Sequence, residues 1–160
     1  MEKMKFRRIK IDNKYEFVWD ANGKWVRHDK NFILESKLSG GTGLLKTFND
    51  LVKGYPSIKQ RVKKIKDIDK KIYYAKVWIL TEANDLTILK NHKKRSFKGY
   101  HLDHIFPIHQ SYKDGLPPEV TADIENLRFI TSKTNLKKGG LVTKRSVNLI
   151  EKIIIKHKKK

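Results

Sequence analysis

Hydrophobic and polar residues alternate with the period of β-strands near the N-terminus of this chain. The alternation runs over residues 5–12 and 15–20, and Asn22-Gly23 then lies between the apolar stretches 17–19 and 25–26. Asn-Gly tolerates the positive φ angles of a two-residue hairpin turn. We therefore predict two short strands over the alternating stretches and a hairpin through Asn22-Gly23.

From residue 42 onward, apolar residues recur at the spacing of helices. Before residue 85 the pattern predicts three helices, with caps where a suitable side chain precedes them: 44–52 capped by Thr42, 57–66, and a helix capped by Asp69 that ends near Asn84. The third has the broadest apolar surface. A last helix is predicted over residues 146–156, before a lysine-rich end.

Strand signals return in the middle of the second half. A strand is predicted over 99–105, because Pro107 ends it. The elements that follow are a long loop, a short helix opened by Pro117-Pro118, a strand over 127–130, and a helix capped by Ser132 and stopped by Gly139-Gly140. The predicted fold class is α+β.

The chain is strongly basic, with a formal net charge of +20. Residues 59–98 have a net charge of +9 and residues 141–160 of +6, whereas residues 99–140 are neutral. A surplus of this size predicts a polyanionic partner. Charge and pattern together suggest a hairpin-and-helix region at 1–54 with a possible role in DNA recognition, a basic helical region at 55–98, a neutral segment at 99–140, and a basic C-terminal helix and tail at 141–160.

Composition narrows the class of protein. The chain has no cysteine, which excludes disulfides and a Cys-ligated zinc. No apolar run approaches the roughly 20 residues of a membrane span, and the charged N-terminus does not resemble a secretory signal. We expect a soluble cytoplasmic protein.

The neutral segment holds the candidate chemistry, because Asp103 and His104 are adjacent in a predicted strand and Asn135 lies in the helix downstream. Phosphodiester hydrolysis needs an activated water, compensation for charge on phosphorus and stabilisation of the leaving alkoxide. A divalent cation supplies the last two, and a neutral imidazole supplies the first. Side chains adjacent in a strand point to opposite faces unless the strand ends there, so Asp103 is predicted to hold a metal while His104 faces the attacking water. Asn135 would add a second oxygen ligand, and oxygen ligands favour Mg²⁺ or Mn²⁺.

This set of residues resembles a known family. Leu102-Asp103-His104-Ile105 with Pro107, then Asn126-Leu127, then Asn135 with Lys138-Gly139, is similar to the HNH nucleases, whose fold is the ββα-metal or His-Me finger. Asn126 follows His104 by 22 positions and Asn135 follows Asn126 by nine. The wider segment is most similar to small phage-encoded HNH homing endonucleases. The resemblance is close over about residues 100–140 and weaker over 70–84.

The resemblance implies roles for the matching residues. It implies that DNA is cut with one divalent ion held by Asp103 and Asn135, that His104 is the general base, and that Asn126 ties the loop so that a backbone carbonyl orients the imidazole. It also implies 5′-phosphate and 3′-hydroxyl ends and a homing role, with another phage or bacterial nuclease as the next choice. Many members have histidine where Asn135 stands, and many have a structural zinc held by cysteines. Without that zinc, the helix at 70–84 is predicted to support the finger.

Several side chains have two interpretations. His101 shares the Asp103 face of the strand, and we interpret it as a hydrogen-bonded strand histidine rather than a metal or phosphate ligand. His109 is interpreted as a solvated loop histidine rather than a DNA contact. Arg128 is either a clamp on the scissile phosphate or a surface arginine. The DNA-contacting residues are predicted to be basic side chains of the motif and of the basic segment: Arg128, Lys137, Lys138, Lys59, Arg61, Lys63 and Lys64.

The sequence therefore predicts a metal-dependent DNA endonuclease of the HNH type. It would act on double-stranded DNA as a monomer or homodimer, with one Mg²⁺ or Mn²⁺ per active site and no membrane partner. The alternative is a non-catalytic nucleic-acid-binding protein on the same finger fold. A ribosomal or other RNA-binding structural protein would explain the charge but not the neutral segment.

Overall fold

The N-terminal strands form an antiparallel sheet. The computed structural model describes the backbone of residues 6–11, 14–21, 24–27 and 42–160, with side chains from Leu44 onward. The sheet contains, in spatial order, β1 (Phe6–Ile11), β2 (Lys14–Ala21) and β3 (Lys24–Arg27). Ala21 pairs with Lys24, the register expected for a two-residue hairpin. Asn22-Gly23 itself lies outside the described residues.

Three helices follow, near the predicted positions: α1 (Thr42–Val52), α2 (Pro56–Val62) and α3 (Ile68–Ala83). Two predictions are corrected here. Thr42 is the first residue of α1 rather than the residue before it, and α2 begins at Pro56, in the first turn where proline is tolerated, and ends at Val62 rather than residue 66.

The cap of α3 is Asp67, and the prediction of Asp69 was wrong. The Asp67 carboxylate accepts a hydrogen bond of 2.9 Å from the backbone N–H of Lys70. A cap must bind the N–H groups of the first turn from outside the helix, and Asp69 already lies within that turn. Asp69 therefore adds only a negative charge near the positive end of the helix.

The neutral segment contains two antiparallel strands and a helix that packs on both. They are β4 (Tyr100–His104), β5 (Leu127–Thr131) and α6 (Ser132–Lys138). The cap of α6 is Thr131, whose hydroxyl accepts from the N–H of Thr134, and not Ser132 as predicted. Gly139, at φ 54°, ends the helix as expected, because glycine adopts this conformation without strain.

In the connection between the two strands, a helix replaces part of the predicted long loop, and the short helix opened by Pro117-Pro118 is confirmed, although it ends at Thr121. The connection contains α4 (Ile108–Asp114), α5 (Pro118–Thr121) and a single 3₁₀ turn (Ile124–Asn126). Pro107 ends β4 as predicted but also precedes α4, which buries Ile108 and Ser111 one turn apart. His109 accordingly lies on a helix, where it is exposed to solvent.

The C-terminal helix α7 (Lys144–Lys158) packs against this connection. It begins earlier than predicted because Thr143 and Ser146 form a reciprocal capping box. Its apolar side joins one cluster, made of Phe106, Leu116, Val120, Ile150, Ile153 and Ile154. The fold is thus mixed α and β, in agreement with the predicted α+β class. None of the helices in the described part of the chain is long and apolar enough to span a membrane.

Helix α3 lies at the centre of the packing. Ile72 and Ala75 face α1 and α2, whereas Tyr73 and Val77 pack against Ile108 and Ala122 of the connection. Trp78 extends the contact to the apolar side of the β4–β5 pair, which consists of Leu102, Leu127 and Phe129. The support predicted for residues 70–84 is therefore present, and it fixes the surface against which one face of β4 packs.

Candidate active site

The candidate site forms around the last two residues of β4. Asp103 is paired across the sheet with Arg128, and His104 with Leu127. Because successive side chains of a strand alternate, Asp103 and His104 point to opposite faces. Asp103 meets α6, which packs on both strands, and His104 meets α3.

Asp103 is held by two cations. One carboxylate oxygen, Oδ2, accepts from Arg128 Nε at 2.9 Å, and the other, Oδ1, accepts from Lys138 Nζ at 2.7 Å. The Lys138 ammonium also donates to the backbone carbonyl of His104 at 2.6 Å. The Lys138 side chain is 13% exposed and that of Arg128 is 42% exposed. Both are predicted to contact DNA, and in the structure both bind the carboxylate of the predicted metal ligand.

His101 and Asn135 form a second polar pair on the same face. His101 bonds the Phe97 carbonyl through Nε2 at 2.7 Å, so Nε2 carries the hydrogen. Its Nδ1 then accepts from Asn135 Nδ2 at 3.1 Å. The interpretation of His101 as a hydrogen-bonded strand histidine is confirmed. Asn135 is oriented by this bond, and its Oδ1 makes no hydrogen bond with the described residues.

His104 lies in an apolar pocket against α3. Its side chain is 5% exposed, its Nε2 is 2.9 Å from Thr81 Oγ1, and its ring meets the Trp78 indole edge-on with centroids 4.9 Å apart. Burial, together with the smaller effects of the positive charges of Lys138 and Arg61, lowers the pKa of the imidazole to about 3. The ring is therefore neutral at neutral pH.

Arg61 is linked to this pocket through Trp78. Its guanidinium lies 3.8 Å from the centroid of the indole, a cation–π contact. Arg61 was predicted to contact DNA along a basic helix together with its neighbours. All four side chains, Lys59, Arg61, Lys63 and Lys64, are exposed, and the guanidinium of Arg61 also covers the Trp78 ring that lies against His104.

Asn126 fastens the end of β4. Its Oδ1 accepts from the N–H of Phe106 at 2.8 Å, and its Nδ2 donates to the carbonyls of Phe106 and Thr121 at 3.2 and 2.8 Å. The residue is fully buried. The side chain of Phe106 belongs to the cluster under α7, so the carboxamide joins the end of β4 to the C-terminal helix.

The oxygen atoms around Asp103 suit a hard divalent cation. The Asp103 carboxylate and the His104 carbonyl share the Lys138 ammonium, and Asn135, which contacts His101 on the same side of β4, offers its Oδ1; all three oxygens are of the kind that binds Mg²⁺ and Mn²⁺. Two of these already bind a cation, the Lys138 ammonium, which shows that the position accommodates positive charge. Within residues 44–160, no three His, Cys, Asp or Glu side chains form a cluster, so at most two such side chains would hold an ion there.

The sequence contained the residue types of the site but not their contacts. Thr81 and Trp78 belong to the helix that was predicted to support the finger. The sequence of that helix does not indicate that both residues contact His104. Lys137 is exposed on α6 and remains a predicted DNA contact. In the comparisons with known proteins, no family model, no curated protein and no solved structure matches the chain.

Proposed function

We propose that this protein is an HNH-type endonuclease that hydrolyses phosphodiester bonds of double-stranded DNA with one Mg²⁺ or Mn²⁺. The observation that carries the proposal is the division at the end of β4: an acidic oxygen ligand faces α6, and the next residue is a neutral imidazole facing α3. Asn126 fixes the backbone where the two faces diverge. In the proposed mechanism, this arrangement would place a divalent ion and a proton acceptor one residue apart.

His104 would be the general base. If Thr81 Oγ1 accepts from Nε2–H, Nδ1 retains the lone pair that removes a proton from water, and the proposal requires this tautomer. A pKa near 3 keeps the ring unprotonated but makes it a weak base. A phosphate bound beside it would raise that pKa, because a negative charge favours the imidazolium.

Asp103 and Asn135 would hold the metal ion. When bound, the ion would neutralise charge on the phosphate and stabilise the leaving oxygen. His101 acts as a positioning residue, because its bond to Nδ2 leaves Asn135 Oδ1 free for the ion. Lys138 would have to give up Asp103 Oδ1, since the ammonium and the ion use the same oxygen.

A second function is favoured by specific contacts. Asp103 is neutralised by Arg128 and Lys138, and His104 is almost completely enclosed. These are features of a finger that binds nucleic acid without cutting it. The two functions differ in whether a divalent ion enters and whether a bond is broken.

Cleavage of supercoiled plasmid distinguishes them. The wild-type protein is compared with His104→Ala and with His109→Ala, an exposed histidine as control, with and without Mg²⁺ or Mn²⁺, at low salt and matched DNA occupancy. We expect metal-dependent nicks or breaks that fall by about 10²- to 10⁴-fold in His104→Ala alone. Cutting that survives this change would exclude His104 as the base. Tight binding without cutting, on DNA of varied sequence, would support the binding protein.

A further inference from the structure

A groove runs from the candidate site to the C-terminal helix. It has a volume of about 930 Å³ and lies between the β5–α6 side of the finger and the first turns of α7. Its charged lining residues are Arg128, Lys138, Lys144, Arg145, Lys152 and Glu125. The groove is thus lined by five cations and one carboxylate.

The single carboxylate is already paired with a lysine. Glu125 pairs with Lys156 at 2.7 Å, and Lys156 also pairs with Asp123. The end of α7 therefore has its positive charge balanced by acidic partners. Because five cations and only this one carboxylate line the groove, the groove carries a net positive charge.

The start of α7 is different. Lys144, Arg145 and Lys152 are exposed, and within the described part of the chain none of them forms an ion pair or a side-chain hydrogen bond. Cations at the first turn also oppose the helix dipole. Three unpaired cations on one side of a helix repel one another, and a bound polyanion would remove that repulsion.

The groove is continuous with the candidate metal position. Arg128 and Lys138 line it while also contacting the two carboxylate oxygens of Asp103. From Lys144 to Lys152 the helix rises by about 12 Å. At roughly 3.4 Å of duplex axis per phosphate of one strand, this length matches about three phosphates.

We propose that this groove binds the phosphodiester backbone of the DNA strand next to the bond that is cut, with Lys144, Arg145 and Lys152 as its phosphate contacts. The identity of the ligand as DNA rests on the function proposed above. The sequence had instead assigned backbone contact to the basic segment with Lys59, Arg61, Lys63 and Lys64, of which the three lysines are compared here because Arg61 packs on Trp78. The two assignments can be tested against each other, because each involves three exposed cations.

The experiment measures binding of a short fluorescent DNA duplex by anisotropy, in EDTA, between about 50 and 200 mM salt. Two full-length variants with the same loss of charge are compared with wild type: Lys144→Gln/Arg145→Gln/Lys152→Gln, and Lys59→Gln/Lys63→Gln/Lys64→Gln. Thermal melting checks that both fold. The groove variant is expected to fold, because its changes are exposed and remove cations that oppose the dipole of α7.

We expect the groove variant to bind at least about tenfold more weakly. The slope of the logarithm of the binding constant against the logarithm of the salt concentration should become shallower by up to about 3, near 0.9 for each phosphate contact that is lost. The other variant should weaken binding by less than about threefold. Equal losses in both variants, or a larger loss in the second, would overturn the proposal. Metal-dependent plasmid cleavage by wild type is scored separately. If binding depends on the groove residues but no cleavage occurs, the proposed nuclease is refuted and the proposed DNA contact in the groove is supported. If cleavage occurs but the groove variant binds as tightly as wild type, the nuclease is supported and the groove contact is refuted.

Discussion

The two faces of β4 put adjacent residues in opposite environments. Asp103 is surrounded by charge, with Arg128 and Lys138 on its oxygens, whereas His104 is enclosed by an indole and a threonine hydroxyl. One step along the chain therefore changes a charged, cation-binding setting into an apolar one. The comparison shows how a strand can place two adjacent side chains in opposite electrostatic surroundings.

The two faces are nevertheless connected. Lys138 donates hydrogen bonds to both the Asp103 carboxylate and the His104 carbonyl, and its charge contributes to the low pKa of the imidazole. Asn126 holds the backbone just beyond them. Changes at these positions should show whether the faces behave independently.

The largest effect is expected from Asn126→Ala, which removes the hydrogen bonds that hold the backbone just after β4. The change leaves three buried backbone groups without their partner, so the free energy of unfolding should fall by about 3 kcal/mol. Urea unfolding measures this. Asn148→Ala, at a half-buried position on α7, is the control and should change stability by less than about 0.5 kcal/mol. Similar small losses in both variants would mean that the hydrogen bonds of Asn126 are not important for stability.

Acid should destabilise the His104 face. The buried imidazole stays neutral down to about pH 3, whereas in the unfolded chain it takes up a proton near pH 6.5. Between these values the unfolded state binds more protons, so stability falls as the pH falls, by up to about 1.4 kcal/mol per pH unit. Unfolding of wild type and His104→Asn is compared from pH 7 to pH 4 in EDTA. Parallel curves would show that His104 titrates normally.

Thr81→Val tests the bond that orients the imidazole. Valine keeps the shape of threonine but removes the hydroxyl, which leaves His104 Nε2 unpaired and should cost about 1–3 kcal/mol of stability. Nitrogen NMR of the imidazole should show the Nε2–H tautomer in wild type and in Thr81→Ser, and a mixture in Thr81→Val. A wild-type ring protonated at Nδ1 would be incompatible with the proposed base.

A smaller effect is expected on the Asp103 face from Lys138→Met. Without the ammonium, a divalent ion no longer competes for Asp103 Oδ1 and the His104 carbonyl, so Mn²⁺ should bind roughly tenfold more tightly, equivalent to about 1.4 kcal/mol. Calorimetric titration without DNA measures this, and Lys137→Met, on the exposed side of α6, is the control. Unchanged or weaker binding in Lys138→Met would separate the lysine from the metal position.

Elements with a strong local signal could be predicted from the sequence. The strands expected at 99–105 and 127–130 are Tyr100–His104 and Leu127–Thr131, because alternation and proline or glycine boundaries act within a few residues. Helix α4 was missed because its seven residues bury too few positions to show a period. The cap of α3 was misplaced because Asp67 and Asp69 are equally suitable by type, and the packing of Ile68 in the core decides which of them lies outside the helix.

The sequence by itself determined the order of the elements, the positive charge and the placement of Asp103 and His104 side by side on a strand. Only the tertiary structure decided what each of them meets. Thr81 reaches His104 from 23 residues before it, and Lys138 reaches Asp103 from 35 residues after it. Such partners depend on how α3 and α6 pack against the strands. That packing also decided that the free cations of α7 lie beside the site while those of its last turn are paired, because burial and charge pairing are set by neighbours in space rather than along the chain.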